Sequence, residues 1–313
     1  MSLETLASEF AGHRSHLIAV AYRLTGSLAD AEDAAQEAWL RLSGLSREKS
    51  EQIQDLRAWL TTVVGRLCLD RLRSATARRE RYVGEWLPEP IVTDLDASIG
   101  EDPLDAVVRD DGVRMAAMVL LDRLTPQQRV AFVLHDAFKV SFAEIGEILG
   151  CTPQAARQHA SRGRRALADA EPPPRASLQE QREVLERFTA AVLSGDLHAV
   201  ARVLHPDIVL IGDSDGKGRT TRRTMVGADK FLRFFAGLRR MYPPDAFAAT
   251  RPVLVNGDLG MYLPAQPGGE HYRDVDEHVQ AMTVHDGRIV AVYDIVNPDK
   301  LRHLPASVTR AGG

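Results

Sequence analysis

The sequence predicts a multidomain protein in which two all-α pieces, the second a helix-turn-helix, precede one α+β piece. Apolar residues recur at helical spacing through residues 1–82 and 113–170, but they gather in short strand-like runs after residue 177. Proline-rich stretches separate the pieces. A length of 313 residues suits two or three domains at roughly 100–200 residues each.

Composition excludes several classes of protein. A hydrophobic content of 44% is too high for a disordered chain, and no window approaches about 18 consecutive apolar residues. The N-terminus lacks the basic start and apolar run of a secretory signal. Cys68 and Cys151 are far apart and belong to no Cys/His cluster, so we expect no disulfide scaffold and no metal site. We also expect no other cofactor, and we expect the protein to be cytoplasmic.

The first piece, residues 1–82, is predicted to be helical throughout. Leu17, Ala21 and Leu24 fall on one helix face, and Ser27 with Asp30 three residues later begins a second helix. A third helix begins near Leu56. Its outer face is basic, because seven arginines and two acids lie between residues 57 and 82.

An acidic linker is predicted over residues 83–112. It contains nine acids and one arginine, and the proline-rich sequence WLPEP lies near its start at 86–90. Residues 152–168 reverse the charge again, with four arginines and no acid. This alternation of basic, acidic and basic blocks indicates oppositely charged partners.

The second piece, residues 113–170, has clear helix boundaries. Thr125 and Ser141 are predicted N-caps with Gln128 and Glu144 in capping boxes, and Gly150 is predicted to end a helix in the left-handed conformation. Thr152-Pro153 then starts the next helix at once. Two helices joined by so short a turn indicate a helix-turn-helix.

The second helix of this pair carries the residues best suited to reading DNA. Arginine can pair with guanine and glutamine with adenine in the major groove, while serine and further arginines reach phosphates. The candidate side chains are Gln154, Arg157, Gln158, Ser161, Arg162, Arg164 and Arg165.

The third piece follows a proline-rich linker at 171–176. Ser177 with Glu180 predicts a helix, another is predicted over 228–240, and strand-like runs follow. Asn256-Gly257 and Asp286-Gly287 are strong signals for two-residue hairpins. We therefore expect an α+β domain over 177–296, with a curved antiparallel sheet and helices on one face, followed by a tail at 297–313.

The order of these pieces resembles a known family. Residues 10–42 and 55–82 resemble region 2 of bacterial sigma factors, and residues 121–167 resemble region 4, in the compact arrangement of extracytoplasmic-function (ECF) sigma factors. The remaining C-terminal part of the chain, beyond the region 4 match, resembles the SnoaL-like branch of the NTF2-like cone fold. A subgroup of these sigma factors carries that domain with a WLPEP motif, a DGGGK-like motif, here DSDGKG at 213–218, and a terminal NPDKL at 297–301.

The resemblance implies a sigma factor that recruits core RNA polymerase, through the β′ clamp helices and β, to promoter DNA, in the cytoplasm at the nucleoid and as part of a stress response. The seven helix-turn-helix residues named above would read the −35 element. An acidic face would bind polymerase, and the basic third helix would hold the melted −10 element. The implied polymerase-binding residues are Asp30, Asp33, Gln36, Glu37 and Arg41, and those for the −10 element are Arg57, Trp59, Arg66, Arg71, Arg73 and Arg78.

The three motifs imply a regulatory contact within the chain that would replace or supplement a separate anti-sigma protein. Trp86 and Leu87 are expected to be exposed in the linker, as partners for Lys217 and Lys300. The regulatory set is Trp86, Leu87, Pro88, Glu89, Pro90, Asp213, Asp215, Gly216, Lys217, Asn297, Pro298, Asp299, Lys300 and Leu301.

Two alternatives remain open: a conventional helix-turn-helix regulator with a ligand-sensing domain, and a SnoaL-type cyclase or isomerase with an accessory DNA-binding part. For proton transfer the candidates by residue type are His205, Asp207, Asp213, His278, His285 and Asp294. We expect no catalytic residue and no membrane partner.

Overall fold

The computed structural model describes residues 3–79, 82–95, 107, 111–168 and 172–310, and the chain divides into two compact units. Unit 1 comprises Met1–Arg81, Ile99–Val113 and Ala117–Glu171, and unit 2 comprises Tyr82–Ser98, Arg114–Ala116 and Pro172–Gly313. Residues 83–95 of the predicted linker therefore belong to unit 2, together with Tyr82, which was predicted to end the first helical piece. Residues 96–106 and 108–110 of that predicted linker lie outside the described residues.

Unit 1 is helical, as predicted. Ser27 accepts a hydrogen bond from the backbone N–H of Asp30, and Thr125 and Ser141 form reciprocal capping boxes with Gln128 and Glu144. Its helices are α1 (Leu3–Thr25), α2 (Leu28–Ser43), α3 (Arg47–Glu51), α4 (Leu56–Arg79), α5 (Met115–Leu121, whose first two residues belong to unit 2), α6 (Pro126–Phe132, continued by a π-helical turn at Val133–Ala137), α7 (Phe142–Leu149) and α8 (Pro153–Ala168).

The two helical pieces of unit 1 pack against each other. Gly65 of α4 lies so close to α7 that a Cβ atom there would be 3.0 Å from Cδ1 of Ile148. Arg129 of α6 is fully buried and donates two hydrogen bonds of 3.2 Å to the carbonyl of Arg23 near the end of α1, while its Nη1 is 2.5 Å from Oδ1 of Asp122. A buried guanidinium needs such partners, since an isolated buried charge is unstable.

The predicted helix-turn-helix is present as α7 and α8. Gly150 ends α7 at φ 68°, in the left-handed region that glycine adopts at no steric cost. A Cβ atom at Gly146 would be 2.7 Å from the carbonyl oxygen of Cys151, so the turn folds tightly against α7. Ala156, Ala160 and Gly163 form the buried face of α8.

Unit 2 is built on one sheet. Its described strands follow the order β1-β4-β5-β6-β7-β2-β3. They are β1 (Val92–Thr93), β2 (Leu204–Asp213), β3 (Met225–Val226), β4 (Arg251–Val255), β5 (Asp258–Leu263), β6 (His278–His285) and β7 (Arg288–Ile295), with the helices α9 (Leu178–Ser194), α10 (Leu197–Val203), α11 (Ala228–Met241) and α12 (Ala306–Thr309).

The sheet is mixed rather than wholly antiparallel, which corrects the predicted topology. β2 pairs with β7 in parallel, which requires a long connection, and the helix α11 and four further strands come between them in the chain. Both predicted hairpins are confirmed. Asn256-Gly257 and Asp286-Gly287 have positive φ at both central residues, which suits the right-handed twist of the strands that they join.

Helices α9, α10 and α11 pack against the sheet and bury one apolar core, which includes Phe188, Phe231, Phe235 and Met282. Helix α10 is short and was not predicted. Among the described helices, none is both long and apolar enough to cross a lipid bilayer.

Candidate nucleic-acid interface and regulatory contacts

The outer face of α8 is exposed and basic. Every side chain that the sequence nominated for the −35 element is exposed on this helix, while Ala156, Ala160 and Gly163 face inward. A Cβ atom at Gly163 would lie 3.3 Å from Cβ of Phe132, so only a small residue allows α8 to approach α6 closely. The helix therefore presents one polar, acid-free face to solvent.

Two arginines of α8 have partners within unit 1. Arg157 places its guanidinium 5.2 Å from the centre of the Phe142 ring, a cation–π contact that orients the side chain. Arg164 donates to Oδ1 of Asp136 at 2.6 Å, which neutralises part of its charge. Arg157 is thus held in place while its hydrogen-bond donors are left to other partners, whereas Arg164 already has an acidic partner.

The basic residues predicted for the −10 element line α4, and several contact other helices of unit 1. Arg66 donates to the carbonyl of Glu147 on α7 at 3.3 Å, and Arg71 lies 3.5 Å from Oδ1 of Asp30 on α2. Arg57 and Arg73 are exposed, Trp59 is half-buried, and the side chain of Arg78 lies outside the described residues.

His16 joins α1 to α4. Arg57, which can only donate, donates to Nδ1 of His16 at 3.1 Å, so Nε2 carries the proton and donates to the hydroxyl of Thr61 at 3.0 Å. Burial, assisted by the charge of Arg57 and by His13, lowers the pKa of His16 to about 4. Protonation of Nδ1 would break the bond from Arg57 and place two positive charges together.

Unit 1 is therefore expected to lose stability as the pH falls from 6.5 to about 4. Unfolded His16 takes up its proton near pH 6.5, but folded His16 does so only near 4. The full shift corresponds to about 3 kcal/mol, and we expect about 1–2 kcal/mol because the ring is partly solvated. Denaturant unfolding at pH 7 and pH 5 checks this. His16→Gln should reduce the pH dependence, and an unchanged dependence in that variant would contradict the assignment.

The polymerase face predicted on α2 is largely exposed. Asp33, Gln36 and Arg41 are exposed, Glu37 is half-buried and accepts from Nε of Arg41 at 3.0 Å, and Asp30 is partly covered by Arg71. The prediction missed Leu40, which is 56% exposed beside these charges. The sequence could have indicated Leu40, because it follows Asp33, Gln36 and Glu37 by seven, four and three residues. Residues at these spacings share one helix face.

The segment 82–95 is anchored in unit 2. The hydroxyl of Tyr82 donates to Oδ1 of Asp213 at 2.5 Å, and the backbone N–H of Leu87 donates to its Oδ2 at 2.6 Å. Burial and the Asp213 carboxylate raise the pKa of Tyr82. Farther along, Ile91 donates to the side chain of Asn256, and β1 pairs with β4.

The expectation that Trp86 and Leu87 are exposed is wrong. Leu87 is fully buried, Trp86 is half-buried, and Glu89 is 5% exposed. The reason is that backbone hydrogen bonds to Asp213 and Asn256 draw the segment onto the sheet. The prolines of WLPEP, Pro88 and Pro90, are buried with it.

The loop DSDGKG and the tail NPDKL meet at the same place. Lys300 donates to Oδ2 of Asp213 at 2.5 Å and to the carbonyl of Leu87, and its ammonium lies 4.2 Å from the centre of the Trp86 ring. Asn297 donates to the hydroxyl of Tyr82 at 2.8 Å.

Lys217 forms no hydrogen bond or ion pair with the described segment 82–95, so it is not the partner expected for Trp86 and Leu87. It pairs with Asp299 of the tail and with Asp215 of its own loop. Asp215 in turn accepts a hydrogen bond from the backbone N–H of Val83. The remaining members of the regulatory set complete these turns: Gly216 has φ 71°, Pro298 begins a short 3₁₀-helix, and Leu301 is buried.

Two of the six candidates for proton transfer meet in the interior of unit 2. Nδ1 of His278 is 2.9 Å from Oδ1 of Asp294, and both residues line one cavity. Burial alone would lower the pKa of His278, but the Asp294 carboxylate outweighs it and raises that pKa. Burial of Asp294 is likewise outweighed by its donors, so its pKa lies below the usual range.

The other four candidates do not reach this cavity. Asp213 binds segment 82–95, Asp207 is exposed, His205 accepts a hydrogen bond from the backbone N–H of Asp207, and His285 lies 3.5 Å from exposed Asp286. Within the described residues, no group of three or more His, Cys, Asp or Glu side chains could hold a metal ion.

Comparison with known protein families matches all three pieces of the chain. Residues 10–78 match Sigma-70 region 2, residues 114–167 match Sigma-70 region 4, and residues 185–292 match the SnoaL-like domain. These matches divide the chain in the order that the sequence predicted.

Two mycobacterial proteins are similar to the chain over nearly its whole length. The ECF RNA polymerase sigma factor SigJ of Mycobacterium tuberculosis is 51% identical over 310 residues, which cover 97% of this chain and 96% of SigJ. The probable ECF sigma factor SigI of the same organism is 32% identical, with coverage of 97% and 98%. The crystal structure of M. tuberculosis SigJ superimposes with a TM-score of 0.80 at 50% identity, covering 96% of this chain and 99% of that one.

Proposed function

This chain belongs to the ECF RNA polymerase sigma factors, which direct transcription initiation. From this we propose which of its surfaces bind promoter DNA, which surface binds the polymerase and which part regulates them. The family makes core RNA polymerase and promoter DNA its partners. In our proposal α8 reads the −35 element, α4 holds the −10 element, and α2 binds the polymerase. Unit 2 regulates these activities through the segment 82–95.

The exposed, acid-free face of α8 is the observation that supports its proposed role in binding the −35 element. A helix-turn-helix places its second helix in the major groove, where residues near the N-terminus contact base edges. Gln154, Arg157 and Gln158 occupy the first turns of α8 and are exposed. Arg162, Arg164 and Arg165 lie farther along the helix, where contacts to phosphates fix the register but carry no sequence information.

Arg157→Ala should weaken binding to a cognate −35 element by about 1–3 kcal/mol and reduce the preference over a scrambled element, since a bidentate base contact is lost. Arg164→Ala is the matched control. It should weaken both DNAs about equally, because Arg164 is assigned to a phosphate. Electrophoretic mobility shifts with the two duplexes measure both effects, and an unchanged preference in Arg157→Ala would remove this residue from base reading.

The packing within unit 1 bears on how α4 reaches DNA. Arg66 contacts α7, and Gly65 packs against Ile148 of the same helix. The −10 and −35 elements are separated along a promoter, so the α4–α7 contact must open before both elements are engaged. We therefore assign the packed arrangement to the chain before it meets polymerase and promoter.

Regulation by unit 2 rests on the position of segment 82–95. This segment directly follows the part of the chain that matches Sigma-70 region 2, yet it is hydrogen-bonded to Asp213 and Lys300 of unit 2. Any change in unit 2 that alters this anchoring acts on the chain where region 2 ends. A separate anti-sigma protein is not needed for such control.

Run-off transcription with core polymerase tests the proposal. Full-length protein should support promoter-dependent transcription, and a chain that ends at Val296 should retain core binding but change transcription, with an increase expected. A helix-turn-helix regulator without sigma activity would fail to co-purify with core polymerase. Unchanged transcription after removal of the tail, and after truncation at Ala168, would exclude a regulatory role for unit 2.

A further inference from the structure

A buried carboxylate of unit 2 binds both ends of the chain segment that contains region 4. Asp258, the first residue of β5, is 6% exposed, and its Oδ2 accepts a hydrogen bond of 2.8 Å from Nε of Arg114. Its Oδ1 accepts one of 2.8 Å from Nε of Arg175. Arg114 is the first residue that matches Sigma-70 region 4, and Arg175 follows the last matched residue, Leu167, by eight positions. The chain therefore leaves unit 2 for region 4, and returns to it, at one carboxylate.

Further hydrogen bonds hold Asp258 and its partners in place. Gln181 of α9 donates to Oδ1 of Asp258 at 3.2 Å, and the side-chain oxygen of Gln181 accepts from the backbone N–H of Leu259 at 2.7 Å. Arg175 also donates to the carbonyl of Gly257. Both carboxylate oxygens are thereby satisfied, and the guanidinium groups are fixed relative to the sheet.

The turn before Asp258 binds the segment that follows region 2. Asn256 is fully buried, its side chain accepts from the backbone N–H of Ile91 at 3.0 Å, and its own backbone N–H donates to the carbonyl of Ile91 at 2.8 Å. Asn256 and Gly257 have φ 53° and 82°, the conformation of a tight two-residue turn, so the separation of Asn256 from Asp258 is fixed. This turn, Asn256–Asp258, is here called the anchor hairpin.

We propose that the anchor hairpin makes unit 2 a rigid connection between regions 2 and 4, so that Arg114, Arg175 and Asp258 set the separation of the −10 and −35 elements that the chain accepts. This inference rests on the proposed function, since it takes α4 and α8 to bind those elements. A flexible linker would let region 4 follow the −35 element over several separations. Flanks that are bonded to one sheet restrict region 4 to few of them.

The chemistry of this contact suits positioning better than stabilisation. Apolar side chains of similar size often replace a buried ion pair without loss of stability, because burial removes two charges from water. A carboxylate between guanidinium groups instead requires N–H donors that point at its oxygens, which allows few geometries. The side chains of Arg114 and Asp258 are 7% and 9% exposed, so water offers them little alternative. The ion pairs therefore define where region 4 begins.

The DNA double helix makes such a restriction measurable. One added base pair moves the −35 element by about 3.4 Å along the axis and rotates it by roughly 35°. Two added base pairs move it by about 7 Å and rotate it by roughly 70°. A region 4 that cannot follow this change loses at least one base contact of α8, which corresponds to about a tenfold loss of binding.

Run-off transcription by the holoenzyme tests the proposal. The templates are a promoter that the native holoenzyme transcribes and its derivatives with one or two base pairs added between the elements or removed. We expect about a tenfold loss of transcript with the native chain when two base pairs are added or removed. The variant Arg114→Met with Arg175→Met and Asp258→Asn removes all three charges together and leaves no unpaired ion. It should lose less than about threefold, because region 4 is then joined to unit 2 by a flexible connection.

The ratio of transcript between templates separates positioning from stability. A variant that is only less stable gives less transcript from every template in the same proportion. Arg239→Met is the matched control, since this half-buried arginine of α11 donates to a backbone carbonyl of α9 at 2.8 Å, and it should keep the native ratio. If the triple variant fails to fold, as circular dichroism would show, Arg114→Met decides, because Asp258 there retains Arg175 and Gln181 as partners.

Hydrogen exchange of the full-length chain without polymerase checks the contact itself. Residues 115–121 should exchange faster in the triple variant than in the native chain, and Arg239→Met should leave them unchanged. Unaltered exchange in the triple variant would overturn the proposal, and so would the same dependence on promoter spacing in the native chain and the triple variant. The polymerase alone would then set the spacing. No transcript from any template with the native chain would contradict the proposed function, and this inference with it.

Discussion

Charge reversal of Asp33 and Glu37 to lysine should reduce affinity for core RNA polymerase by at least about 100-fold, or about 3 kcal/mol. Both side chains lie on one face of α2 with Gln36 and the exposed Leu40. Leu40 adds an exposed apolar surface beside these charges, and charge complementarity across an interface sets specificity and the rate of association. Reversal replaces attraction by repulsion at two points of that contact.

The fold should survive this change. Glu37 loses only an exposed pair with Arg41, and Asp33 lies 4.0 Å from Arg71, which keeps Asp30 as a closer partner. Such surface pairs contribute about 0–1 kcal/mol. Biolayer interferometry with immobilised core enzyme measures the affinity, and circular dichroism checks the fold.

A control with the same change in net charge separates contact from general electrostatics. Glu183→Lys with Glu186→Lys alters two exposed acids of α9, in unit 2. This control should bind core polymerase as the native chain does. If it loses affinity equally, or if the α2 variant binds normally, the acidic face of α2 is not the polymerase contact. Leu40→Ala should give an intermediate loss.

The local features of the fold could be predicted because they depend on few neighbouring residues. The capping boxes at Thr125 and Ser141 require only residues three positions apart, and the hairpins at Asn256 and Asp286 require two residues with positive φ. Gly150 is predictable for the same reason, since a left-handed helix end selects glycine.

Features that depend on distant residues were missed. The parallel pairing of β2 with β7 brings together segments that lie about 80 residues apart, and no local pattern reports it. Arg129 has the charge of a surface residue but is buried, because the carbonyl of Arg23 and the carboxylate of Asp122 satisfy it. Composition placed Leu87 in an acidic linker, yet one buried carboxylate, Asp213, draws its backbone into unit 2.

The candidate sites likewise differ in whether they depend on neighbouring or on distant residues. The face of α8 follows from helical periodicity within one element, so its exposed residues could be nominated from the sequence. By contrast, His278 and Asp294 belong to different strands and were two of six candidates of suitable residue type. Only the antiparallel register of β6 and β7, which pairs Gln280 with Asp294, places that carboxylate beside His278.

Asp213→Asn should lower the free energy of unfolding of unit 2 by about 3–5 kcal/mol, the range for breaking a buried charge pair from one side. Asp213 is fully buried, and its carboxylate accepts from Tyr82, the backbone of Leu87 and Lys300. An asparagine offers one acceptor oxygen and turns its amide N–H groups toward donors. The Lys300 ammonium, whose side chain is 11% exposed, is then left without its carboxylate.

A double-mutant cycle separates the charge pair from the other bonds of Asp213. Lys300→Met removes the ammonium but keeps an apolar stem against Trp86. Asp213→Asn with Lys300→Met should therefore be less destabilised than the sum of the two single variants. Lys217→Met is the matched control in the same loop. It breaks only exposed pairs, with Asp215 and Asp299, and should cost less than about 1 kcal/mol.

The same variants link stability to the anchoring of segment 82–95. Loss of the Asp213 carboxylate removes the acceptor that binds Tyr82, Leu87 and Lys300 together, while the hydrogen bond from Ile91 to Asn256 remains. Hydrogen exchange should therefore accelerate at the amide of Leu87 more than at that of Ile91. Additive effects in the cycle would show that Asp213 and Lys300 do not stabilise the fold as a charge pair. Exchange at Leu87 as slow as in the native chain would show that Asp213 does not hold this segment, and regulation through it would then require another contact.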